Sequence, residues 1–474
     1  MVFSSMTFLV LFLPLLLLFY FIVPGWKWRN AVLLFASLLF YGWGEPVWIF
    51  AMIFSTAVNY FCALVIAGTD RAPLRRLALW VGVVISLSFL FYFKYSAFAL
   101  NSLGRLFGRG DLVTAPRLPI GISFYTFQVL TYTADVYRGK APVQRSFPLL
   151  LLYVSCFPQL IAGPIVQYSD IARQLKRRQV SSRGFVLGFR RFTVGLFKKV
   201  LLANLCGMIL ERTALAGSGA QMSVLGAWYS ALMYTLQIYY DFSAYSDMAI
   251  GLGRILGFTY RENFNYPYIS RSVTDFWRRW HISLGSFFRD YVYIPLGGNR
   301  SGAVRTARNM LIVWTLTGLW HGASWNFLVW GLYYGALLLL ERFVLARVLD
   351  SLPGALRRTL TMVCVILGWV IFYYTDLADV GTHLLAMAGL ARSGSALVRL
   401  PLTDEKLLSV LRIYSWLPVP AVVMTFPILP ALKKRFGSGR ISEAAANTGS
   451  ALLLAVSVLF LIGQSYNPFI YFRF

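Results

Sequence analysis

The sequence predicts an all-α integral membrane protein whose helices cross the bilayer many times. Hydrophobic residues make up 58% of the 474 positions and charged residues only 13%, whereas soluble domains usually carry about 25% charged residues. Apolar runs of about 18 residues or more recur along the chain, and each is long enough to cross a bilayer core as a helix. The runs allow about 10–12 transmembrane helices, together with re-entrant and interfacial helices.

The distribution of charge indicates contact with membrane lipid. The formal net charge is +26, from 44 Lys+Arg against 18 Asp+Glu. The basic residues cluster in short loops between apolar runs, as in cytoplasmic loops that face an anionic leaflet. This pattern favours lipid over nucleic acid as their partner. The basic stretch from Arg173 to Lys199 is broken by apolar residues, which predicts an amphipathic helix on the membrane surface.

The chain is predicted to form a single membrane domain with three parts. Residues 1–145 supply the N-terminal helices, 146–345 a core that carries the polar motifs, and 346–474 the C-terminal helices with an outer polar loop at 376–406. The first apolar run lacks the basic flank and cleavage site of a signal peptide. The four cysteines lie in apolar stretches, and their spacing suits neither zinc nor disulfides. No metal site is predicted.

A broken, re-entrant segment is predicted between two basic clusters in the core. The residues Phe157 to Pro164 include Pro158 and Gly163, which interrupt an apolar stretch. If the basic clusters lie on the same side of the membrane, this stretch must enter and leave on that side. Such a break is tolerated only when it is buried in protein or lines a cavity.

His321 is the strongest candidate for chemistry. It lies at the turn of a predicted hairpin, roughly 18 Å along the helix from Asn309 and therefore near or past the bilayer midplane. An ionisable group at such a depth is costly and indicates function. The small residues Gly318 and Gly322 would let a substrate carbonyl approach, and the hydroxyls of Thr317 or Ser324 could fix the imidazole tautomer. The alternative is a buried histidine that only bonds a neighbouring helix.

His281 is a second candidate on a predicted helix. One face of that helix would carry Trp277, His281, Gly285 and Phe288. Asp275 and Arg279, four residues apart, are expected to pair. The alternative is an interfacial aromatic belt with a snorkelling histidine. The third histidine, His383, lies in the outer polar stretch and is predicted to be an ordinary surface residue.

Two further segments carry polar groups that suit a substrate. Gly297 and Gly298 would end a helix and free backbone N–H groups, which together with Arg300 could bind phosphate. The alternative is a plain cytoplasmic turn. Within a long apolar run, one arc of roughly 120° carries Gln237, Tyr240, Asp241 and Asp247. These side chains either line a substrate channel or hold helices together, and the sequence leaves both open.

Three of these segments together resemble the membrane-bound O-acyltransferase family. They are Phe276–His281, Tyr293–Arg300 and Gly318–Ala323. The resemblance is to its bacterial branch, which contains the membrane subunit of alginate O-acetyltransferases and the subunits that acetylate peptidoglycan and cellulose. The first five residues, the stretch from Phe157 to Tyr168 and the ending Asn467–Phe474 also fit that branch. The resemblance covers nearly the whole chain.

The resemblance implies a helical ring around a tunnel through the membrane. It implies that His321 is the catalytic histidine and that His281 is a second functional histidine. Acetyl-CoA would enter from the cytoplasm as the acyl donor. An extracytoplasmic acyltransferase of the SGNH type would complete the transfer to a polysaccharide. The location would be the cell inner membrane, and alginate is the first choice of polymer, with cellulose or peptidoglycan next.

We accordingly expect two sets of binding residues. The substrate-binding set is Trp277, Gln237, Tyr240, Asp241, Trp320, Ser324 and Asn326. The acetyl-CoA-binding set is Arg278, Gly297, Gly298, Asn299 and Arg300. Because a base for the incoming hydroxyl is needed in acyl transfer, His321 is expected to take that role. Three alternatives remain open: a multi-pass transporter or channel, D-alanyl-type transfer to an envelope polymer, and a non-catalytic scaffold.

Overall fold

The computed structural model describes residues 1–161, 163–214, 222–300, 302–436, 439–463 and 469–470. The chain divides into two compact units. Unit 1 consists of Met1–Leu196 and Tyr245–Glu262, and unit 2 of Phe197–Ala244 and Asn263–Phe474. This division differs from the three consecutive parts predicted from the sequence, because one long helix contributes its first part to unit 2 and its second part to unit 1.

Almost all regular structure is helical, which confirms the predicted fold class. In chain order the α-helices are α1 (Leu13–Ile22), α2 (Trp26–Gly44), α3 (Ile49–Gly68), α4 (Ala72–Leu90), α5 (Ser96–Leu106), α6 (Ile122–Tyr137), α7 (Phe147–Ser155), α8 (Phe157–Leu160), α9 (Tyr168–Ile171), α10 (Gln174–Arg177), α11 (Ser182–Phe197), α12 (Asn204–Thr213), α13 (Val224–Ile255), α14 (Val273–Arg279), α15 (Ile282–Phe288), α16 (Ala303–His321), α17 (Trp325–Leu340), α18 (Ala346–Ser351), α19 (Gly354–Tyr373), α20 (Leu377–Met387), α21 (Glu405–Tyr414), α22 (Pro418–Val423), α23 (Ile428–Phe436) and α24 (Arg440–Gly463).

Short irregular turns extend several helices, and one hairpin supplies the strands. The π-helical segments are Thr7–Phe12, Phe91–Tyr95, Lys198–Ala203, Arg289–Tyr293 and Glu341–Leu345, and Pro267–Ile269 is a 3-10 turn. The antiparallel strands β1 (Leu390–Ser393) and β2 (Ala396–Arg399) pair with Leu390 opposite Arg399. They lie within the outer polar loop predicted at 376–406, between α20 and α21.

Six helical stretches among the described residues are long and apolar enough to cross a membrane. They are Ile49–Gly68, Ala72–Leu106, Ser182–Thr213, Trp325–Ser351, Gly354–Tyr373 and Ile441–Gly463. A multi-pass membrane protein is therefore confirmed. Other helices are shorter, as in Thr7–Ile22, or carry polar residues along their length, as in α13. The six stretches are fewer than the roughly 10–12 transmembrane helices predicted from the sequence, because only long and continuously apolar helices meet this criterion.

The predicted break in the core segment of unit 1 is present and buried. α7 ends at Ser155, the backbone leaves the helical conformation at Cys156, and α8 begins at Phe157 with a proline in its first turn. Pro158 lacks a backbone N–H and fits such a helix start. Both helices are buried along nearly their whole length. The break thus lies inside protein, as the absence of water in a bilayer requires.

The helix predicted at Arg173–Lys199 is not continuous, because α10 ends at Arg177 and α11 begins at Ser182. Its second half, from Ser182, continues through a π-helical segment into α12, and Ser182–Thr213 is one of the six apolar stretches. Within unit 1, Arg191 pairs with Asp247 at 2.9 Å, and Glu262 is its second carboxylate partner. These ion pairs tie α11 to other segments of unit 1, although Glu262 itself is 56% exposed.

The hairpin of α16 and α17 is held together by glycines. Gly318 faces the carbonyl oxygen of Phe327 and the Cα of Gly331, and Gly322 faces the ring of Phe327. These small residues therefore serve close helix packing, as they do in many membrane proteins. The predicted role of giving a substrate carbonyl access is not supported, because protein atoms fill the space that each glycine leaves.

Gly318→Ala is expected to destabilise the protein, because its methyl group would overlap the Phe327 carbonyl oxygen. Overpacking of this kind typically costs about 1–3 kcal/mol. The measurement is thermal unfolding of the detergent-purified protein. Gly354→Ala is the matched control, since no atom lies within 4 Å of the added methyl group there. Equal melting temperatures for the two variants would contradict the packing role.

Candidate active site

His281 lies at a break between two short helices. α14 ends at Arg279, and His281 precedes α15 in the left-handed conformation, with φ 46° and ψ 53°. A residue other than glycine rarely adopts this conformation, and where it does so the surroundings must hold it. The prediction of one continuous helical face is therefore wrong. The predicted pairing of Asp275 with Arg279 is confirmed at 2.8 Å.

Asn263 sets the orientation of the His281 ring. The Oδ1 atom of Asn263 lies 3.1 Å from Nδ1 of His281 and accepts hydrogen bonds from the backbone N–H and the hydroxyl of Ser283 at 3.2 and 2.8 Å. Because a backbone N–H can only donate, this atom is the amide oxygen, and Nδ1 of His281 must carry the proton that it accepts. Nε2 of His281 therefore presents a lone pair.

The imidazole of His281 is neutral. The side chain is 1% exposed and lies outside the six apolar spanning stretches. Burial lowers the pKa of His281 to about 3, because a low-dielectric environment disfavours the charged form. Nε2 has no hydrogen-bond partner among the described residues. It is thus a buried acceptor available to a hydroxyl or thiol.

His281 faces a cavity of about 190 Å³, which we call the His281 cavity. Its walls are Trp277, Trp280, His281, Leu284, Gly285, Phe288, Arg289, Tyr293, Met310, Val313, Trp314 and Thr317. The four residues predicted to share a helical face, Trp277, His281, Gly285 and Phe288, all line it. The break in the helix therefore does not separate His281 from the other three residues.

His321 is the last residue of α16 and faces a smaller space of about 20 Å³, the His321 pocket. The pocket is lined by Ile238, Asp241, Phe242, Trp280, His321, Trp369, Phe372, Phe469 and Ile470. The Trp320 ring contacts both histidines, with its centre 5.9 Å from that of His281 in a tilted contact and 4.9 Å from that of His321 in an edge-to-face contact. Trp280 lines both the His281 cavity and the His321 pocket.

A buried ion pair lies beside the His321 pocket. Lys199 and Asp241 are each 3% exposed and approach to 2.6 Å between Nζ and Oδ1. The other carboxylate oxygen of Asp241 accepts the backbone N–H of Ile470 at 2.8 Å. Burying two charges is costly unless they pair and bond fully. This arrangement fixes the carboxylate of Asp241 at the wall of the pocket.

A larger cavity of about 820 Å³ contains four guanidinium groups, and we call it the arginine cavity. The basic side chains in its lining are Arg278, Arg289, Arg342 and Arg357. Of the two acidic side chains in the lining, Glu341 accepts the N–H groups of Val273 and Thr274 at the start of α14, and Asp350 pairs with Arg357 at 3.3 Å. The excess of positive charge suits a polyanion, and the volume suits a cofactor-sized ligand.

The arginine cavity adjoins the His281 cavity. The two share the lining residues Trp277, Gly285, Arg289, Tyr293 and Met310. Trp277 is thus placed at the junction, as expected of a substrate-binding residue, and Arg278 is placed in the arginine cavity. A long ligand with an anionic end could lie in the arginine cavity and extend its other end toward the histidines.

Several expected binding residues lie away from these spaces. The Tyr240 hydroxyl donates to the carbonyl of Ala421 in α22, and Asn326 donates to the carbonyls of Ile371 and Phe372 in α19. Ser324 bonds to Asn326. Gln237 is buried in α13 and lines none of the three spaces. Tyr240 and Asn326 thus connect helices, and for Tyr240 this is one of the two roles that the sequence left open for the polar residues of α13.

The hydroxyl groups expected to fix the His321 tautomer bond elsewhere. Thr317 donates to the carbonyl of Val313 at 2.7 Å, one turn back in its own helix. Ser324 is occupied by its contact with Asn326. Such local bonds compete effectively for hydroxyl groups. The sequence spacing of three and four residues was therefore not sufficient to predict a contact with the imidazole.

The expected phosphate site in the turn at Gly297–Arg300 is not supported. The N–H groups of Gly297, Gly298 and Arg300 donate to carbonyls within the turn, and Asn309 bonds the Gly298 carbonyl at 3.0 Å. Asn299 and Arg300 are exposed, and none of these residues lines the arginine cavity. The glycines, at φ 100° and 58°, serve a tight turn.

The prediction that His383 lies at the surface is wrong. It is 2% exposed. Its Nδ1 lies 2.8 Å from the Tyr374 hydroxyl, and its Nε2 lies 3.0 Å from the carbonyl of Ala227. Because α20 packs onto the protein rather than forming a mobile loop, the side chain is buried. His383 is a satisfied structural histidine.

Sequence patterns gave no sign of several residues that build the site. Asn263 lies 18 positions before His281 in a segment without helical periodicity. Arg342 and Arg357 lie in basic clusters that the positive-inside rule already explained. Lys199 belonged to a stretch interpreted as a surface helix. Only the carboxylate of Asp241 at membrane depth gave a usable signal, because such a group requires a partner.

Comparison with known proteins identifies relatives across the whole chain. The model of the membrane-bound O-acyltransferase family matches residues 140–380. The chain is 39% identical over 506 residues to a probable alginate O-acetylase of Azotobacter vinelandii, with 100% of both chains covered. It is 38% identical over 500 residues to a probable alginate O-acetylase of Pseudomonas putida, again with 100% of both covered.

A relative named for another polymer is also similar over almost its whole length. A peptidoglycan O-acetyltransferase of Helicobacter pylori is 32% identical over 520 residues, covering 100% of this chain and 98% of the relative. The family match includes both histidines and all four arginines of the arginine cavity. The three spaces described above therefore lie largely within the part of the chain that the family shares.

Proposed function

This chain belongs to the membrane-bound O-acyltransferase family, and we propose that it takes acetyl groups from cytoplasmic acetyl-CoA and passes them across the membrane for O-acetylation of an extracytoplasmic polysaccharide. Its relatives are named as acetylating enzymes of polymers, so an O-acyltransferase is the class of enzyme. A transporter or a scaffold is disfavoured. The cell inner membrane is the proposed location, and alginate is the first choice of polymer, followed by peptidoglycan or cellulose.

The observation that carries the proposal is the order of the three spaces. The arginine cavity adjoins the His281 cavity, and the His281 cavity shares the wall residue Trp280 with the His321 pocket. Coenzyme A carries several phosphate charges at one end and a thioester at the other. We propose that the arginines bind the phosphates while the thioester lies near the histidines. Guanidinium groups suit phosphate because they donate in pairs.

In the proposed chemistry, His321 accepts the proton of an acceptor hydroxyl. The hydroxyl oxygen forms a bond to the acetyl carbonyl carbon, the carbon–sulfur bond breaks, and coenzyme A leaves as a thiol after taking up a proton. His281 holds a hydroxyl or thiol through its Nε2 lone pair. The tautomer set by Asn263 favours this role over polarising the carbonyl, which would need a donor at Nε2. An extracytoplasmic SGNH-type acyltransferase is the proposed partner for the final transfer.

Membrane vesicles test the proposed function. Inside-out vesicles from a strain that makes the polymer are supplied with acetyl-CoA labelled in the acetyl group. The expected result is labelled polymer together with free coenzyme A thiol, both dependent on this protein. Mass spectrometry of the envelope glycans of a deletion strain identifies the polymer. Vesicles that label no polymer and release no thiol above the deletion background would overturn the proposal.

Loss of arginines from the arginine cavity is expected to weaken acetyl-CoA binding. Arg278→Gln and Arg342→Gln should each raise the KM for acetyl-CoA about tenfold while kcat changes little, because a charge-assisted hydrogen bond is worth about 1.5–3 kcal/mol. The kinetics are measured in the same vesicles. Arg300→Gln is the matched control, since that exposed arginine lies outside the cavity. If Arg300→Gln raised the KM for acetyl-CoA more than Arg278→Gln did, the phosphates would bind at the turn of Gly297–Arg300 instead.

A further inference from the structure

The His321 pocket is very small. Its volume is about 20 Å³, and by a comparable measure a single water needs roughly 10–15 Å³. The space therefore admits little more than one methyl-sized group. Acyl transfer requires the carbonyl carbon to come within about 3–3.5 Å of the attacking oxygen. Because the attacking hydroxyl is proposed to bond His321, we expect the alkyl part of the acyl group to enter this pocket.

Rigid aromatic rings form much of the pocket wall. The Phe372 ring lies 5.1 Å from the His321 ring and 4.9 Å from that of Phe327. The Trp369 ring lies 4.8 Å from that of Trp280 and 5.7 Å from that of Phe372. Close-packed rings of this kind cannot move apart without losing contacts on their far sides. An added methylene therefore has no space to enter on this side.

Ile238 is the aliphatic part of the wall that α13 supplies. It is 7% exposed and lies one turn before Asp241, which also lines the pocket. Its side chain can be shortened without removing an aromatic ring or a charged group. Leu236, on the same helix, is 2% exposed and lines none of the three spaces. The helix thus offers a variant and a matched control two residues apart.

We propose that the His321 pocket restricts the enzyme to two-carbon acyl groups and that Ile238 is a specificity-determining residue. This inference rests on the proposed function, because it presumes an acyl-CoA donor that reacts at His321. An acetyl group places one methyl group in the pocket, whereas propionyl and butyryl groups add methylenes that the walls exclude. Shortening Ile238 extends the pocket by the volume of the atoms removed.

The test compares donors of different length in the vesicles described above. Wild-type vesicles receive equal concentrations of acetyl-CoA, propionyl-CoA or butyryl-CoA, each labelled in the acyl group, and label in the polymer is measured. Acetyl is expected to be preferred over propionyl by about tenfold or more, the usual effect of one methylene. Ile238→Ala should reduce this preference about tenfold, and Ile238→Val, which removes one methyl group, should reduce it less. Leu236→Ala should leave it unchanged.

The outcomes separate this inference from the proposed function. If wild-type vesicles use no acyl-CoA, the donor assignment fails and this inference fails with it. If they use acetyl and propionyl equally well, the donor assignment stands and the size limit is overturned. An active Ile238→Val or Ile238→Ala variant with the wild-type preference would overturn the role of Ile238. Because all variants are compared in the same membranes, any selectivity of a partner enzyme is common to them.

Discussion

Replacing His321 by alanine is expected to reduce polymer acetylation by about 10²–10⁴-fold, the usual contribution of a general base. The imidazole lines the pocket in which the acyl group is proposed to react, and its ring lies 5.1 Å from those of both Trp330 and Phe372. Water could fill the space left by the ring but could not accept the proton as readily. The measurement is incorporation of labelled acetyl groups into polymer, normalised to the amount of folded protein in the membrane.

His383→Ala is the matched control for that loss. His383 is also buried, but it bonds Tyr374 and the carbonyl of Ala227 and lines none of the three spaces. Its replacement should lower stability through the lost hydrogen bonds while leaving the activity of the remaining folded protein near wild type. Full acetylation by His321→Ala would show that His321 takes no part in the reaction. An equal loss of acetylation per folded molecule in the two variants would show the same.

Replacing His281 is expected to have the second largest effect, a fall of about 10²-fold in kcat, because its Nε2 is the buried acceptor in the cavity next to the arginines. Asn263→Leu should reproduce most of this loss although Asn263 does not line the cavity, since the ring would lose the oxygen that fixes its tautomer. The KM for acetyl-CoA should change little in either case. The double variant should be no worse than His281→Ala alone, as expected for residues that act as a unit.

Asn263→Asp distinguishes a positioning role from a purely structural one. A carboxylate still accepts the Nδ1 proton, but its charge would raise the pKa of His281 from its value of about 3 toward neutrality. Below the new pKa the ring is protonated and cannot accept, so activity should fall as pH is lowered. Wild type should lack this additional step, and any fall caused by protonation of His321 is common to both proteins. A pH profile identical to wild type, or additive losses in the double variant, would contradict the positioning role.

The helical membrane fold and the choice of His281 and His321 as candidate functional residues follow from the sequence. Apolar runs predict membrane helices because the bilayer fixes both their length and their composition. His321 is a candidate functional residue because a titratable group among apolar residues is costly to bury. Family resemblance in the segments around His281 and His321 adds a chemical role. These features can be recognised without knowing which helices pack together.

Contacts between distant residues could be decided only by the tertiary structure. Asn263 meets His281 because the chain turns back after α13, and Lys199 meets Asp241 because two helices pack together. The sequence instead favoured near neighbours, and it assigned to Thr317 and Ser324 bonds that local backbone and side-chain groups occupy.

Tertiary contacts also explain why the turn at 297–300 does not offer the expected phosphate site. Glycines and a basic residue at 297–300 suggested free amides, but the turn uses those amides itself. The arginine cavity draws on α14, the π-helical turn after α15, the segment after α17 and the start of α19. Local composition determines which segments enter the membrane, because solvation acts on each segment separately. The site depends on side chains from several segments that meet in one space, and only the packing of the helices determines which side chains meet.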